Sequence, residues 1–237
     1  MNNENPLDET SLEKKRFWLS IYVSFIITSI LGLIKFSSWA FGYNEEVIQL
    51  GILPLHLSGL KGILFAPLIH ADAEHYFGNA ITLFVLSTLI FYFYKGFYFK
   101  LLLIVWLFDG IGVWLIGREV YHVGASGVIY GLASFAFFSG VLKKNRNMLA
   151  MSLLVLFLYG SMIWGLYPLE NGISWEAHLA GFLTGTFIAV YYKNSGPHND
   201  VVPDWMNEPD EEQLVNEPEI EKTEIKNEIV VKYEIKK

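Results

Sequence analysis

Gly124-Ala125-Ser126-Gly127-Val128-Ile129-Tyr130-Gly131 lies in the middle of a chain that otherwise reads as membrane. A serine between small residues at the start of an apolar helix has two readings. Glycines let a substrate backbone approach, and the free N–H groups of a helix start can hold a developing oxyanion, so Ser126 can be a nucleophile. Alternatively, Gly127 and Gly131 form a Gly-x-x-x-Gly crossing between membrane helices, with Ser126 one more small residue at it. The surrounding chain has to decide between them.

Of 237 residues, 53% are hydrophobic, well above a soluble domain, and there is no cysteine for a disulfide or a thiolate metal site. The net charge of -7 sits wholly in the tail: residues 194–237 carry 5 basic and 12 acidic side chains, whereas residues 1–193 carry 12 of each. A polar segment, residues 1–16, ends in Lys14-Lys15-Arg16 and is followed by an uncharged run from Phe17 to Ile34. That run is longer than a signal-peptide core and lacks a small-x-small cleavage site, so it is expected to be a retained anchor. Residues 37–69 are apolar but broken by Pro54, Pro67 and glycines, which suits short half-buried pieces. Five further runs follow, about His75–Tyr94, Leu101–Ile116, Ser126–Leu142, Leu149–Leu166 and Ala177–Tyr192.

The reading is an all-α polytopic membrane protein with six transmembrane helices over residues 17–193. If the spans alternate, most basic residues fall on one side, while Lys35, Lys61 and Arg118 fall on the other, and the positive-inside rule makes both termini cytoplasmic. Residues 194–237 hold too little apolar material for a core and are expected to be a disordered acidic cytoplasmic tail, with a short strand-like alternation near residues 228–235.

Polar groups inside spans are few, and each is a functional candidate. Counting inward from Lys143, Lys193 and Lys95 at about 1.5 Å per residue puts Ser126 roughly 25 Å, His178 roughly 22 Å and Asn79 roughly 24 Å from the inner boundary. Three helices thus deliver a hydroxyl, an imidazole and a carboxamide to one level. His75 and Asn79 are i and i+4, on one face. Tyr130 is i+4 from Ser126, where its ring can pack over His178. Gly181 and Gly185 lie beneath His178 and match Gly127 and Gly131, which lets the two helices cross closely enough for a Ser–His hydrogen bond. Counted from Lys100, Asp109 is only about 14 Å up, roughly 10 Å below the imidazole and too deep for a triad; it is expected to be hydrogen-bonded between helices. Glu176 points to another face of its helix than His178.

These residues resemble the signatures of the rhomboid intramembrane serine proteases: His70-x4-His75-x3-Asn79, Gly124-Ala125-Ser126-Gly127 with Tyr130, and Ala177-His178-x2-Gly181-x3-Gly185, in that order and over about residues 17–193. The resemblance implies a six-helix rhomboid-like bundle, Ser126 as nucleophile, His178 as general base, and an oxyanion pocket from Asn79, His75 and the Ser126 N–H. It also implies His70 as a supporting residue near the mouth and Tyr130 stacked on His178. Two departures, Leu60-Lys61-Gly62 in the first loop and Lys95-Gly96 after the second span, bear on loop rigidity rather than on the chemistry.

The expected function is therefore a serine endopeptidase that cleaves transmembrane proteins near the outer face of the membrane through a Ser–His dyad. A non-catalytic rhomboid-like protein that binds membrane clients is the alternative, and a small transporter using His75, His178 and Asp109 is a third. No cofactor is expected, and no metal, because His70 and His75 are poorly spaced as ligands and no carboxylate joins them. The partners expected are the lipid bilayer and substrates with a helix-destabilised transmembrane or juxtamembrane segment, and no nucleic acid. The expected location is the bacterial cell membrane. His122 either lines the entrance or sits in a solvated loop, and His198, in the tail, has no evident role.

Overall fold

The computed structural model describes residues 6–143, 145–168 and 172–194; the expectations for the acidic tail, His198 and the strand-like segment lie outside the described residues. Among those residues the fold is helical without a named strand, as the long apolar runs predict. Six long helices are joined by turns and loops: α1 Pro6–Phe41, α2 Ala73–Tyr94, α3 Tyr98–Ile116, α4 Ser126–Lys143, α5 Arg146–Tyr159 and α6 Trp175–Tyr191. Helix α5 continues as a tighter 3-10 turn over Gly160–Leu166.

Among the described residues five helical stretches are long and apolar enough to cross a membrane: Thr10–Phe41, Ala73–Tyr94, Tyr98–Ile116, Ser126–Lys143 and Arg146–Leu166. The sixth expected span, α6, is a helix of 17 residues, about 25 Å long against a hydrocarbon layer of about 30 Å. The first helix starts well before Phe17, because nothing in the polar segment Leu7–Arg16 breaks a helix and the apolar run propagates it.

Side-chain caps start three of the helices. The Asp72 carboxylate accepts the His75 N–H (2.7 Å), the Asn145 side chain accepts the Asn147 and Met148 N–H groups, and Ser174 Oγ accepts the Ala177 N–H. In lipid an apolar face gains little by meeting another apolar face, so small residues and interhelical hydrogen bonds hold the bundle. Helix α4 is at its centre, with 61% of its span enclosed by protein and no other span above 39%. A Cβ on Gly140 would run into α5 at Met148 and Ser152, and Ser152 Oγ donates to the Phe137 carbonyl at 2.7 Å. Ser134 Oγ reaches the Phe182 carbonyl of α6 at 3.0 Å, and Tyr94 on α2 pairs with Ser139 on α4 at 2.6 Å. Leu86, Ile90, Leu101, Val105, Leu132 and Phe135 fill the space between. Phe25, Leu33, Phe108, Phe157 and Phe187 stand exposed on the bundle's outside, as a lipid-facing surface requires.

The connection from α1 to α2 folds into short helical turns, Asn44–Ile48, Leu57–Gly59, Gly62–Phe65 and Ala66–Leu68. Two indoles of α3 fasten it, Trp106 donating to the Ile63 carbonyl (3.0 Å) and Trp114 to the His56 carbonyl (2.9 Å). Ile52 and His122 exchange backbone hydrogen bonds as an antiparallel bridge, so this loop is also tied to the one preceding Ser126. Rigidity that the loop's own sequence leaves open is thus supplied by α3 and by the 117–124 loop.

Candidate active site

Helices α2, α4 and α6 begin at the same end of the bundle, and their first two turns carry His75 and Asn79, Ser126, and His178 respectively. All four side chains line one cavity of about 640 Å³. Asp72, Glu74, Tyr121 and Ser174 stand around it as well.

Ser126 is the first residue of α4, and the chain enters it through Gly124 at φ +116°, a conformation open to glycine. The position also demands space: a Cβ on Gly124 would lie 2.6 Å from His75 Nε2 and Cε1 and 3.5 Å from Asn79 Nδ2. The imidazole and the carboxamide are therefore packed against the backbone that leads into the serine. Asn79 Nδ2 is buried and makes no hydrogen bond among the described residues, an arrangement whose cost is offset only if something enters to accept from it.

His178 is held on two sides. The Tyr130 ring stacks on it, with centroids 4.1 Å apart and planes at 9°, and Tyr130 is itself fixed by donating its hydroxyl to the Met162 carbonyl at 2.6 Å. At the imidazole edge, Nδ1 lies 2.8 Å from the Gly165 carbonyl. A carbonyl only accepts, so Nδ1 carries the proton and Nε2 keeps its lone pair. Sequence reasoning placed Tyr130 but missed Gly165 and Met162. Both act through backbone oxygens in the 3-10 end of α5, for which residue type gives no signal except that Gly165 has to be small. A Cβ there would overlap the Tyr130 hydroxyl and come 3.1 Å from His178 Nδ1.

The glycine crossing is present: a Cβ on Gly181 would strike the Gly127 carbonyl, and one on Gly185 the Gly131 carbonyl. The expected Ser–His hydrogen bond, however, is absent among the described residues, Ser126 Oγ and His178 facing the cavity without one.

Three expectations need correction. Asp109 is not 10 Å below His178, because its carboxylate packs directly on Gly127. Gly127 meets Gly181, three residues from His178, so Asp109 packs at a level about 4.5 Å along the helix from the His178 backbone. The count failed because basic side chains snorkel and do not mark one plane. Asp109 is buried, its Oδ1 lacks the expected interhelical hydrogen bond, and no bond joins it to His178. His70 is not at the mouth: it is buried behind the site, where its Nε2 receives the Ala125 N–H at 3.5 Å and its ring meets the edges of His75 and Tyr76. Burial, reinforced by His75 beside it, lowers its pKa to about 4, which keeps that nitrogen an acceptor. His122 neither lines the cavity nor sits in solvent. It is buried, with Nδ1 2.6 Å from Ser174 Oγ and Nε2 2.9 Å from the Arg118 carbonyl. Glu176 does point away from His178, to Arg118, whose Nε lies 2.5 Å from its Oε1.

Residues 58–195 match the family model described as the Rhomboid domain. An uncharacterized protein of Mycobacterium tuberculosis is 36% identical over 148 residues, 59% of this chain and 62% of its own length. One from Mycobacterium leprae is 34% identical over 148 residues, 59% of either chain. The chain thus spans less than two thirds of these mycobacterial relatives. A protein of Acanthamoeba polyphaga mimivirus, named as a rhomboid protein, is 28% identical over 177 residues, 72% of this chain and 91% of its own.

Proposed function

The chain belongs to the rhomboid family, and from that premise we propose that it is an intramembrane serine endopeptidase working through Ser126 and His178. The observation that carries the reading is the state of the imidazole: Nδ1 spent on the Gly165 carbonyl, one face covered by Tyr130, and the ring at the wall of the cavity that Ser126 also lines. That leaves Nε2 as the basic atom on the cavity side.

In the proposed reaction His178 Nε2 takes the Ser126 proton as Oγ adds to the scissile carbonyl. The oxygen that becomes negative is received by Asn79 Nδ2–H, by His75 and by the Ser126 N–H. Collapse of the intermediate breaks the peptide bond, the leaving amine takes the proton from His178, and an acyl ester remains on Ser126. Water from the cavity, activated by His178, then hydrolyses the ester and restores the serine. A backbone carbonyl in place of a carboxylate orients the imidazole without compensating the imidazolium charge, so turnover is expected to be slow.

A helical substrate hides its carbonyls in its own hydrogen bonds, so the substrate class is a membrane protein whose transmembrane or juxtamembrane segment unwinds easily. The distribution of Lys and Arg favours both termini in the cytoplasm and a site near the outer face. Bacterial relatives favour the bacterial cell membrane.

The test is labelling of purified protein by a serine-directed fluorophosphonate, paired with cleavage of a reporter membrane substrate. Labelling and cleavage are expected, both lost in Ser126→Ala and in His178→Ala proteins that still fold. Client binding without labelling of the wild type would favour the non-catalytic reading.

A further inference from the structure

We infer that Arg118 and Glu176 are positioning residues that set the approach of Ser126 to His178, an inference that rests on the proposed peptidase activity. Glu176 stands in the first turn of α6, two positions before His178, and its carboxylate is fully buried. A buried carboxylate is costly unless paired and fully hydrogen-bonded. Arg118, at the start of the loop from α3 to Ser126, supplies the pairing. Its Nε lies 2.5 Å from Oε1, its Nη2 lies 3.2 Å from Oε2, and its backbone N–H lies 3.3 Å from Oε1. This is the two-pronged guanidinium grip that fixes angle as well as distance. The same Nη2 donates to the Ile173 carbonyl at 2.7 Å, which extends the grip to the turn before α6.

A second stitch runs beside it. His122 Nε2 faces the Arg118 carbonyl, so it carries the proton, and Nδ1 accepts from the Ser174 hydroxyl. Ser174 Oγ at the same time caps α6 through the Ala177 N–H at 3.4 Å. The bonds of Arg118 to Glu176 and Ile173 and of His122 to Ser174 join the segment leading into Ser126 to the segment leading into His178, and the His122–Arg118 and Ser174–Ala177 bonds brace each segment locally. Below the two residues, the α4 and α6 backbones are in register through Gly127 and Gly181. The glycine crossing is a pivot and the clasp closes the far side of the reacting pair, so the Ser–His distance is determined from both sides. None of the clasp side chains other than Ser174 lines the cavity, so the effect on catalysis is exerted through placement.

A purely structural salt bridge and a positioning one diverge when both charges are removed together. Arg118→Met alone strands a buried carboxylate and is expected to lower stability, whereas Arg118→Met with Glu176→Leu leaves no orphan charge and is expected to melt near the wild type. If the clasp positions, that stable double variant labels Ser126 with fluorophosphonate more slowly, by about tenfold or more, and loses kcat with KM nearly unchanged, since small misplacements weigh on the transition state. Glu176→Gln, which keeps shape and removes charge, is expected to fall between, and its rate decides should the double variant not fold. Labelling and kcat at the wild-type level in whichever variant decides would overturn the inference. A wild type that does not label at all would instead remove the proposed activity, and this inference with it.

Discussion

The ring of Tyr130 lies flat on that of His178, 4.1 Å between centroids, while the Gly165 carbonyl holds the edge of the same imidazole at 2.8 Å. Face and edge together leave the imidazole no free rotation. Two neighbouring helices do what a carboxylate does in a Ser-His-Asp triad, as far as orientation is concerned, and neither contributes a charge.

Gly165→Ala should therefore be damaging although glycine is being replaced by the smallest side chain. The added methyl would intrude on the Tyr130 hydroxyl and crowd His178 Nδ1. We expect kcat to fall by about tenfold or more from the misplaced base. Gly160→Ala, whose methyl would meet only the Leu156 side chain, at 3.3 Å, serves as the control. Equal kcat values for the two variants, measured on folded protein, would show that Gly165 does not orient the base.

Asn79 offers a buried donor with no partner among the described residues, which is the condition expected of a group reserved for a transition state. Asn79→Ala should lower kcat by about 10²-fold with little change in KM. A change confined to KM, read from steady-state cleavage of the reporter, would make Asn79 a substrate-binding residue.

Asp109 packs on Gly127, next to the candidate serine, but makes no bond to His178, so Asp109→Asn should label at the wild-type rate. The measurement is the rate of fluorophosphonate modification on folded protein. A loss as deep as that of His178→Ala would bring the carboxylate into the catalytic machinery.

The buried His70 makes acid stability informative. Its folded pKa of about 4 lies below the ordinary 6.5. Between those values the unfolded chain binds a proton that the folded protein does not, so stability falls as pH drops from 6.5 and levels off below about 4. Thermal melts in detergent between pH 4 and 7 should show a steeper acid loss for wild type than for His70→Gln. The glutamine keeps an acceptor for the Ala125 N–H and does not titrate. Parallel curves would mean that His70 is not the group responsible.

The all-α bundle and the meeting of Ser126, His178, His75 and Asn79 at one end were legible in the amino-acid order. Apolar run length specifies spans, and Gly127, Gly131, Gly181 and Gly185 at four-residue intervals specify which helices can touch. Local chemistry of the same kind marks where helices start, as at Asp72 and Ser174. What tertiary structure alone decided was the set of partners. The Gly165 and Met162 oxygens that hold the imidazole and its stacking ring belong to backbone, which is the same for every residue type. Asp109 reached Gly127 because helices are offset along their axes, a freedom that counting from basic residues ignores. His70, His122, Arg118 and Glu176 lie in loops or first turns, where no helical period relates position in the chain to position in space. Only the packed fold brings Arg118 to Glu176 and His122 to Ser174, since the whole of α4 and α5 lies between the members of each pair.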